Sequence, residues 1–371
     1  MAENGAETLR TFQPLDGLRG AAALAVATLH GSQMFGQGVY FRHGYLAVDL
    51  FFVLSGVVIG HAYGGRLKAG MSVGEFARIR LYPLYVLGLS VMGVWAAYAI
   101  SNAIPFTMFR RANWAWTDLL STALWSAAFL PSFSGDWHAR IAYPLNPVSW
   151  SLFFELLINL LYAGFRRYIT RIVLVIVIAL SAGWLIHVGL TYNSLDRGFE
   201  LDHWDGAIPR TCFSFSVGLL IYDLVVAGAP RVAVPPALLI AVTVAILYVN
   251  PLSGVFDLVC VMLIFPALVY CGTRHLRPGA SASLYGFCGR ISYAVYTLHF
   301  PLVVIIMINF GGVRTLPVGV ALGLGIAGLV LLCWIVDRLY DTPLRSLLRR
   351  LSDRPARAAL AAAECAPKQT A

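Results

Sequence analysis

The chain has 371 residues, 59% of them hydrophobic and only 12% charged, with a mean hydropathy of +0.74. A soluble domain carries about 25% charged residues, so this composition excludes an ordinary soluble fold and predicts an all-α integral membrane protein. The net charge of +9 does not require a nucleic-acid partner, because the bases cluster at the ends of apolar runs, as in a chain oriented by its cytoplasmic Lys and Arg.

The first eleven residues form a polar N-terminal segment with acids at Glu3 and Glu7 and no pattern of a cleavable signal. Spans of about 20 residues are then expected at 15–34, 45–63, 80–101, 149–165, 170–190, 208–228, 232–249, 254–272, 290–309 and 316–338. The apolar stretch 117–131 is shorter, and charge decides its status. Arg66, Lys68, Arg78 and Arg80 lie in one loop, Arg166, Arg167 and Arg171 in another, Arg274 and Arg277 in a third, and Arg345, Arg349, Arg350, Arg354 and Arg357 in the tail. These groups share the cytoplasmic side only if 117–131 does not cross. The acidic loop 191–207 (Asp196, Glu200, Asp202, Asp205) then falls outside. The expectation is about ten transmembrane helices with both termini cytoplasmic, one membrane domain over 12–340, and a tail over 341–371 that is basic, then Ala-rich and disordered. Between 101 and 148 a long outer loop holds an interfacial or re-entrant helix, and Trp114, Trp116, Trp125 and Trp137 suit that boundary. Six cysteines show no metal-ligand spacing and read as lone apolar thiols.

Ionisable residues inside such spans are costly and usually kept for function. On the first span Asp16, Arg19 and His30 share one face, with Arg19 and His30 about 20° apart around the axis. Gly20, Ala23, Ala27 and Gly31 fall beside them and leave room for a ligand or a close helix. Asp16 and Arg19 lie at the cytoplasmic end, His30 about 20 Å deeper. Asp49 in the second span and Glu155 in the fourth are placed in the outer half, at the depth of His30, with Trp150 and Ser151 near the mouth. An imidazole with carboxylates at one depth suits a general base with an orienting partner. It suits a proton path equally well. The Arg78–Arg80 cluster reads either as orientation and lipid contact or as a phosphate site. The sequence Gly323-Leu324-Gly325-Ile326-Ala327-Gly328 matches a dinucleotide-binding pattern, but it lies inside a span and follows no strand. No His-x4-Asp pair occurs, which disfavours the glycerolipid type of acyltransferase.

Five segments, in this order, resemble the membrane acyltransferase 3 family, the integral-membrane O-acyltransferases of bacterial glycans and natural products. They are Leu15-Asp16-Gly17-Leu18-Arg19 with His30; Val48-Asp49-Leu50-Phe51-Phe52-Val53-Leu54-Ser55-Gly56; Arg80-Leu81-Tyr82-Pro83; Trp150-Ser151-Leu152 with Glu155; and Ser292-Tyr293-Ala294-Val295-Tyr296 with His299. The resemblance implies ten core helices and transfer of an acyl group, commonly acetyl, from cytoplasmic acyl-CoA to a sugar hydroxyl beyond the inner membrane. It implies that His30 is the essential histidine, with Asp49 and Glu155 beside it in catalysis. Arg80, Arg78, Arg19 and Asp16 are expected to serve the donor, and Trp150, Ser151, Ser55, Tyr293 and His299 to shape the substrate path. The family's first motif arginine falls here on Ala77, the nearest being Arg78, and Ala47 stands in place of a usual glycine. The expected partners are acyl-CoA, a glycan or lipid-linked acceptor and membrane lipids, with no permanently bound cofactor or metal. The alternatives are a proton-coupled transporter or flippase, for which no matching halves are visible, and a structural subunit that would not need His30.

Overall fold

A computed structural model describes residues 12–35, 40–80, 116–132, 141–230, 232–249, 251, 253–273, 280–309 and 317–347. All regular structure among them is helical, apart from one isolated antiparallel bridge between Ile141 and Glu200. Most of the third expected span (81–101), Trp114, Trp137, Cys365 and the tail from 348 lie outside the described residues.

Helix α1 (Gln13–Phe35) opens with Asp16 in its first turn, where a carboxylate complements the helix dipole. A short 3-10 turn (Gly44–Leu46) leads into α2 (Ala47–Lys68), which ends on Arg66 and Lys68. Residues 73–80 are helical (α3). Helix α4 (Trp116–Ala127) has 12 residues and a length of about 18 Å, well short of a hydrocarbon core of about 30 Å. Helix α5 spans Ser149–Phe165. Thr170 caps α6 (Arg171–Tyr192), accepting from the Val173 amide, and Asn193 ends it in the left-handed conformation at φ 51°. Helix α7 (Trp204–Val226) contains Pro209. Helix α8 (Pro236–Tyr248) starts later than its expected span, because Pro235 and Pro236 defer helix entry. Helix α9 (Gly254–Gly272) carries a π turn at Cys260–Ile264. Helix α10 (Ala280–Asn309) begins ten residues before the expected span. Helix α11 (Val318–Val336) passes through a second π turn, Asp337–Asp341, and continues to Leu347.

Five described segments have the length and hydropathy of bilayer-crossing helices: Gly44–Lys68, Arg171–Tyr192, Leu201–Val226, Gly254–Gly272 and Val318–Leu347. The outward faces of α6 and α11 are apolar, with Ile172, Leu180, Leu324 and Leu331 exposed. Such faces are unfavourable in water and suited to lipid.

Two helix pairs frame the interior. Helices α1 and α10 meet where Gly20 faces Cys288 and Gly289 faces Asp16. Helices α2 and α7 meet at Gly56 and Gly218. A Cβ on Gly56 would collide with the Phe215 carbonyl, and one on Gly218 with the Val53 carbonyl. Without an apolar solvent difference to drive association in lipid, such close backbone contact supplies the packing energy. The main core gathers side chains of α1, α2, α5 and α9, among them Leu18, Leu50, Leu152 and Phe265.

Candidate active site

The two frames bring together residues far apart in the chain. His30 of α1 and His299 of α10 are joined by a 2.9 Å contact between His30 Nδ1 and His299 Nε2. The rings are nearly parallel (5°) with centroids 5.1 Å apart. That separation matches two imidazoles joined edge to edge in one plane, since the N–N contact plus the two ring radii accounts for it. His299 Nδ1 lies 3.0 Å from the Val295 carbonyl. A carbonyl only accepts, so His299 carries its proton on Nδ1 and its Nε2 accepts in turn. His30 therefore donates from Nδ1, and its Nε2 keeps a lone pair. No described residue hydrogen-bonds that Nε2. His299 is fully buried, whereas His30 is partly exposed. Phe300 stands edge-on to His30, and the Tyr296 ring packs on His299.

One turn away along α10, Tyr296 lines a cavity of about 380 Å³. Its hydroxyl lies 2.7 Å from Ser151 Oγ, and its ring meets Phe51 edge-on. The cavity wall includes Ser55, Glu155 and Tyr293, and its charged lining is four arginines (Arg19, Arg80, Arg290, Arg345) against Glu155 and Asp337. Arg19 is fixed from three sides: Nη2 donates to Asp16 Oδ1 (2.6 Å) and to the Gly289 carbonyl (3.1 Å), and Nε donates to Ser292 Oγ (3.0 Å).

The expected partner of Glu155 needs correction. Glu155 Oε1 accepts from Arg80 Nη2 at 2.8 Å and from Ser55 Oγ at 2.9 Å. It belongs to the cavity wall with Arg80, not to the surroundings of His30. Glu155 sits about 9 Å along α5 from Ser149, and a long arginine side chain reaches inward from a helix end to meet it. Backbone position alone carries no information about that reach.

Asp49 is corrected in the same way. Arg210 of α7 donates to both its oxygens, through Nε at 3.1 Å to each and Nη2 at 2.6 Å to Oδ2. Both side chains are essentially inaccessible (1% and 0% exposed). Asp49 is thus committed to a buried ion pair, and the partner of His30 is His299. Arg210 also donates to the Arg197 and Tyr45 carbonyls, and its guanidinium lies over the Trp150 ring. Trp150 is accounted for by that contact. Arg210 falls at the edge of an expected span and does not stand out in the sequence for that reason. The signal that could have identified it is a lone arginine inside an apolar run, which needs a carboxylate.

Sequence reasoning also missed a second buried cluster. Asp257 of α9 accepts from the Tyr45 hydroxyl at 3.0 and 2.8 Å and from the Leu195 amide at 2.8 Å, and His43 Nδ1 lies 3.2 Å from it. This cluster ties the 3-10 turn before α2 to α9 and to the loop after α6. Arg78 is exposed and does not line the cavity. Among the described residues, no three of His, Cys, Asp and Glu converge as a metal site.

Known proteins with similar sequences point the same way. Protein 2 in the picA locus of Rhizobium radiobacter is 37% identical over 181 residues, covering 46% of this chain and 91% of that protein. The putative membrane-bound transacylase BcsY of Komagataeibacter xylinus is 26% identical over 317 residues, covering 78% of this chain and 72% of that protein. No solved structure matches. The acyltransferase domain of the acyltransferase 3 family matches residues 13–338, which contain the histidine pair, both buried clusters and the cavity lining apart from Thr342 and Arg345, and the chain belongs to that family of membrane acyltransferases.

Proposed function

We propose that this protein is an O-acyltransferase with ten spans and cytoplasmic termini, lying in the inner (cytoplasmic) membrane. It moves an acyl group, acetyl in the simplest case, from cytoplasmic acyl-CoA to a hydroxyl of a glycan or other cell-envelope or natural-product acceptor. The observation that carries this reading is the His30–His299–Val295 carbonyl chain, which leaves an unprotonated Nε2 on a partly exposed imidazole. Such a nitrogen is what a general base or an acyl carrier needs.

In the direct route His30 Nε2 takes the acceptor proton, the oxygen attacks the thioester carbonyl, and the C–S bond breaks. The proton then passes from Nε2 to the departing CoA thiolate. In the two-step route the same nitrogen attacks the thioester carbonyl and the C–S bond breaks to release CoA thiolate. The hydroxyl then attacks the acyl carbon, the N–C bond breaks to restore the Nε2 lone pair, and the hydroxyl proton passes to that nitrogen and on to solvent, where the thiolate is protonated. Both routes use one lone pair, and both are served by the Nδ1 hydrogen bond that fixes the ring. The cavity supports a donor path from the arginine-lined end along α10 to Tyr296. Gly289 to Tyr296 is about 10 Å of helix, and His299 lies about 5 Å further. The narrow pantetheine arm passes Tyr296 to bring the thioester to His30.

The test is acyl transfer by purified protein given acyl-CoA and cell-envelope extract. His30→Gln keeps size and polarity but takes no proton at neutral pH, and it should lose at least about 10²-fold in rate with normal expression. Near-normal transfer by this variant would refute the mechanism.

A further inference from the structure

The cavity is lined by arginines from three separate elements: Arg19 of α1, Arg290 of α10 and Arg345 beyond the second π turn. Arg19 is held by Asp16, Ser292 and the Gly289 carbonyl. Arg345 is held by Asp341 and lies 3.8 Å from Asp337, and its Nε is buried without a hydrogen-bond partner. Arg290 is exposed, with no carboxylate within ion-pair distance among the described residues, though its charge acts on the nearby Asp16.

A lone exposed arginine is usually a solvated one. Two features set this one apart. The missing side chain at Gly289 lets Asp16 pack against α10, which seats Arg290 at the same opening as the fixed Arg19. The π turn Asp337–Asp341 shifts the register of the last helix, so that Asp337, Thr342 and Arg345 all face that opening. Single π turns of this kind are frequent at functional sites.

The arginines marked by the family pattern are poorly placed for the same task. Arg78 does not line the cavity, and Arg80 is neutralised by Glu155 inside it. A phosphate beside Arg80 would have to displace a carboxylate that Ser55 also holds. Arg19 and Arg345 are likewise paired with carboxylates, so the free charge at this opening is that of Arg290, which has no carboxylate within ion-pair distance among the described residues. We propose that Arg290, with Arg345 and Arg19, binds the phosphates of the CoA nucleotide end, and that the Arg80–Glu155 pair lines the path of the arm instead. This rests on the acyl-CoA reading above. Guanidinium forks suit phosphate oxygens in paired contacts, and three from different helices grip a branched, multiply charged end while the thin arm enters between them.

The experiment is equilibrium binding of CoA and of pantetheine, which lacks the nucleotide, to the full-length chain in lipid nanodiscs. Arg290→Glu should weaken CoA by at least about tenfold, the scale of removing one charge-assisted hydrogen bond, while leaving pantetheine binding unchanged. Arg290→Lys keeps the charge but not the fork, and its CoA affinity should fall between those of the unmutated chain and Arg290→Glu. CoA binding by Arg290→Glu equal to that of the unmutated chain would overturn the proposal. So would equal losses for CoA and pantetheine, or a larger CoA loss from Arg78→Ala than from Arg290→Glu. An unmutated chain that binds neither probe would instead remove the donor reading itself, and this proposal with it.

Discussion

Replacing His299 by leucine removes the acceptor that holds the His30 Nδ1 proton at 2.9 Å. A hydrogen bond of this kind contributes about 0.5–1.5 kcal/mol net, and leaving its buried donor unpaired costs about 1–3 kcal/mol. The imidazole escapes that penalty by rotating or by moving its proton to Nε2. Either escape takes the lone pair away from the reacting atoms. With 1.36 kcal/mol per tenfold in rate, a loss of about 2 kcal/mol, the middle of the second range, lowers kcat by about thirtyfold. His299 does not line the cavity, so the KM for acyl-CoA should stay near that of the unmutated chain. His299→Gln supplies an amide oxygen that accepts from Nδ1–H, and it should recover kcat to within about tenfold. The assay is CoA thiol release from acyl-CoA in acceptor-bearing membrane vesicles, followed over donor concentration. A leucine variant with unchanged kcat, or leucine and glutamine variants with equal losses, would refute the orienting role.

Two further outcomes test the frame around the site. Arg210→Met strands Asp49 in a fully buried position, and breaking such a pair typically costs about 3–5 kcal/mol; the melting temperature in detergent should fall sharply. The double variant Asp49→Leu with Arg210→Met should recover most of that loss, though not all, because the Arg197 and Tyr45 carbonyls lose their donor. An unchanged melting temperature for the single variant would show that the pair is not stabilising. For topology, cysteines placed at positions 110 and 140 of a cysteine-free chain should both label with an impermeant thiol reagent from outside, because a 12-residue α4 is too short to cross. Labelling of one alone would make the ten-span count wrong.

Much of the helical layout was legible because apolar runs of bilayer length announce themselves without tertiary information. Regions 171–192 and 204–226 show this, since their expected and observed limits nearly coincide. The limits failed where local chemistry overrode hydropathy. Pro235 and Pro236 shortened α8, and α10 ran past its apolar segment to put Gly289 and Arg290 at the cavity mouth. The π turns at 260–264 and 337–341 left no trace in composition, yet the second one aims Arg345. At the site, residue identities were readable and partnerships were not. His299 stood among the expected substrate-path residues, but its hydrogen bond with His30 joins positions 269 residues apart and depends on how α1 packs on α10. The pairing of Asp49 with Arg210 crosses 161 residues, and it turns on the glycine contact between α2 and α7.

The corrected partnerships follow one physical rule. A charge within a bilayer-embedded interior is tolerable only when paired. Asp49 takes Arg210, Glu155 takes Arg80, and Asp16 takes Arg19. Each of these three carboxylates is thereby held by an arginine, whereas Asp257 is held by the Tyr45 hydroxyl and the Leu195 amide beside His43. An imidazole differs because its resting form is neutral, so it needs a hydrogen bond rather than a counter-ion. His299, anchored to a backbone carbonyl, supplies that bond to His30 without placing a charge beside it. The same logic explains why a second histidine, and not Asp49 or Glu155, orients the first. A carboxylate at that position would be a further buried charge needing its own arginine, whereas a neutral histidine fixes the tautomer at lower desolvation cost. On the acyltransferase mechanism proposed above, His30 takes up the proton or the acyl group while these three carboxylates keep their arginine partners.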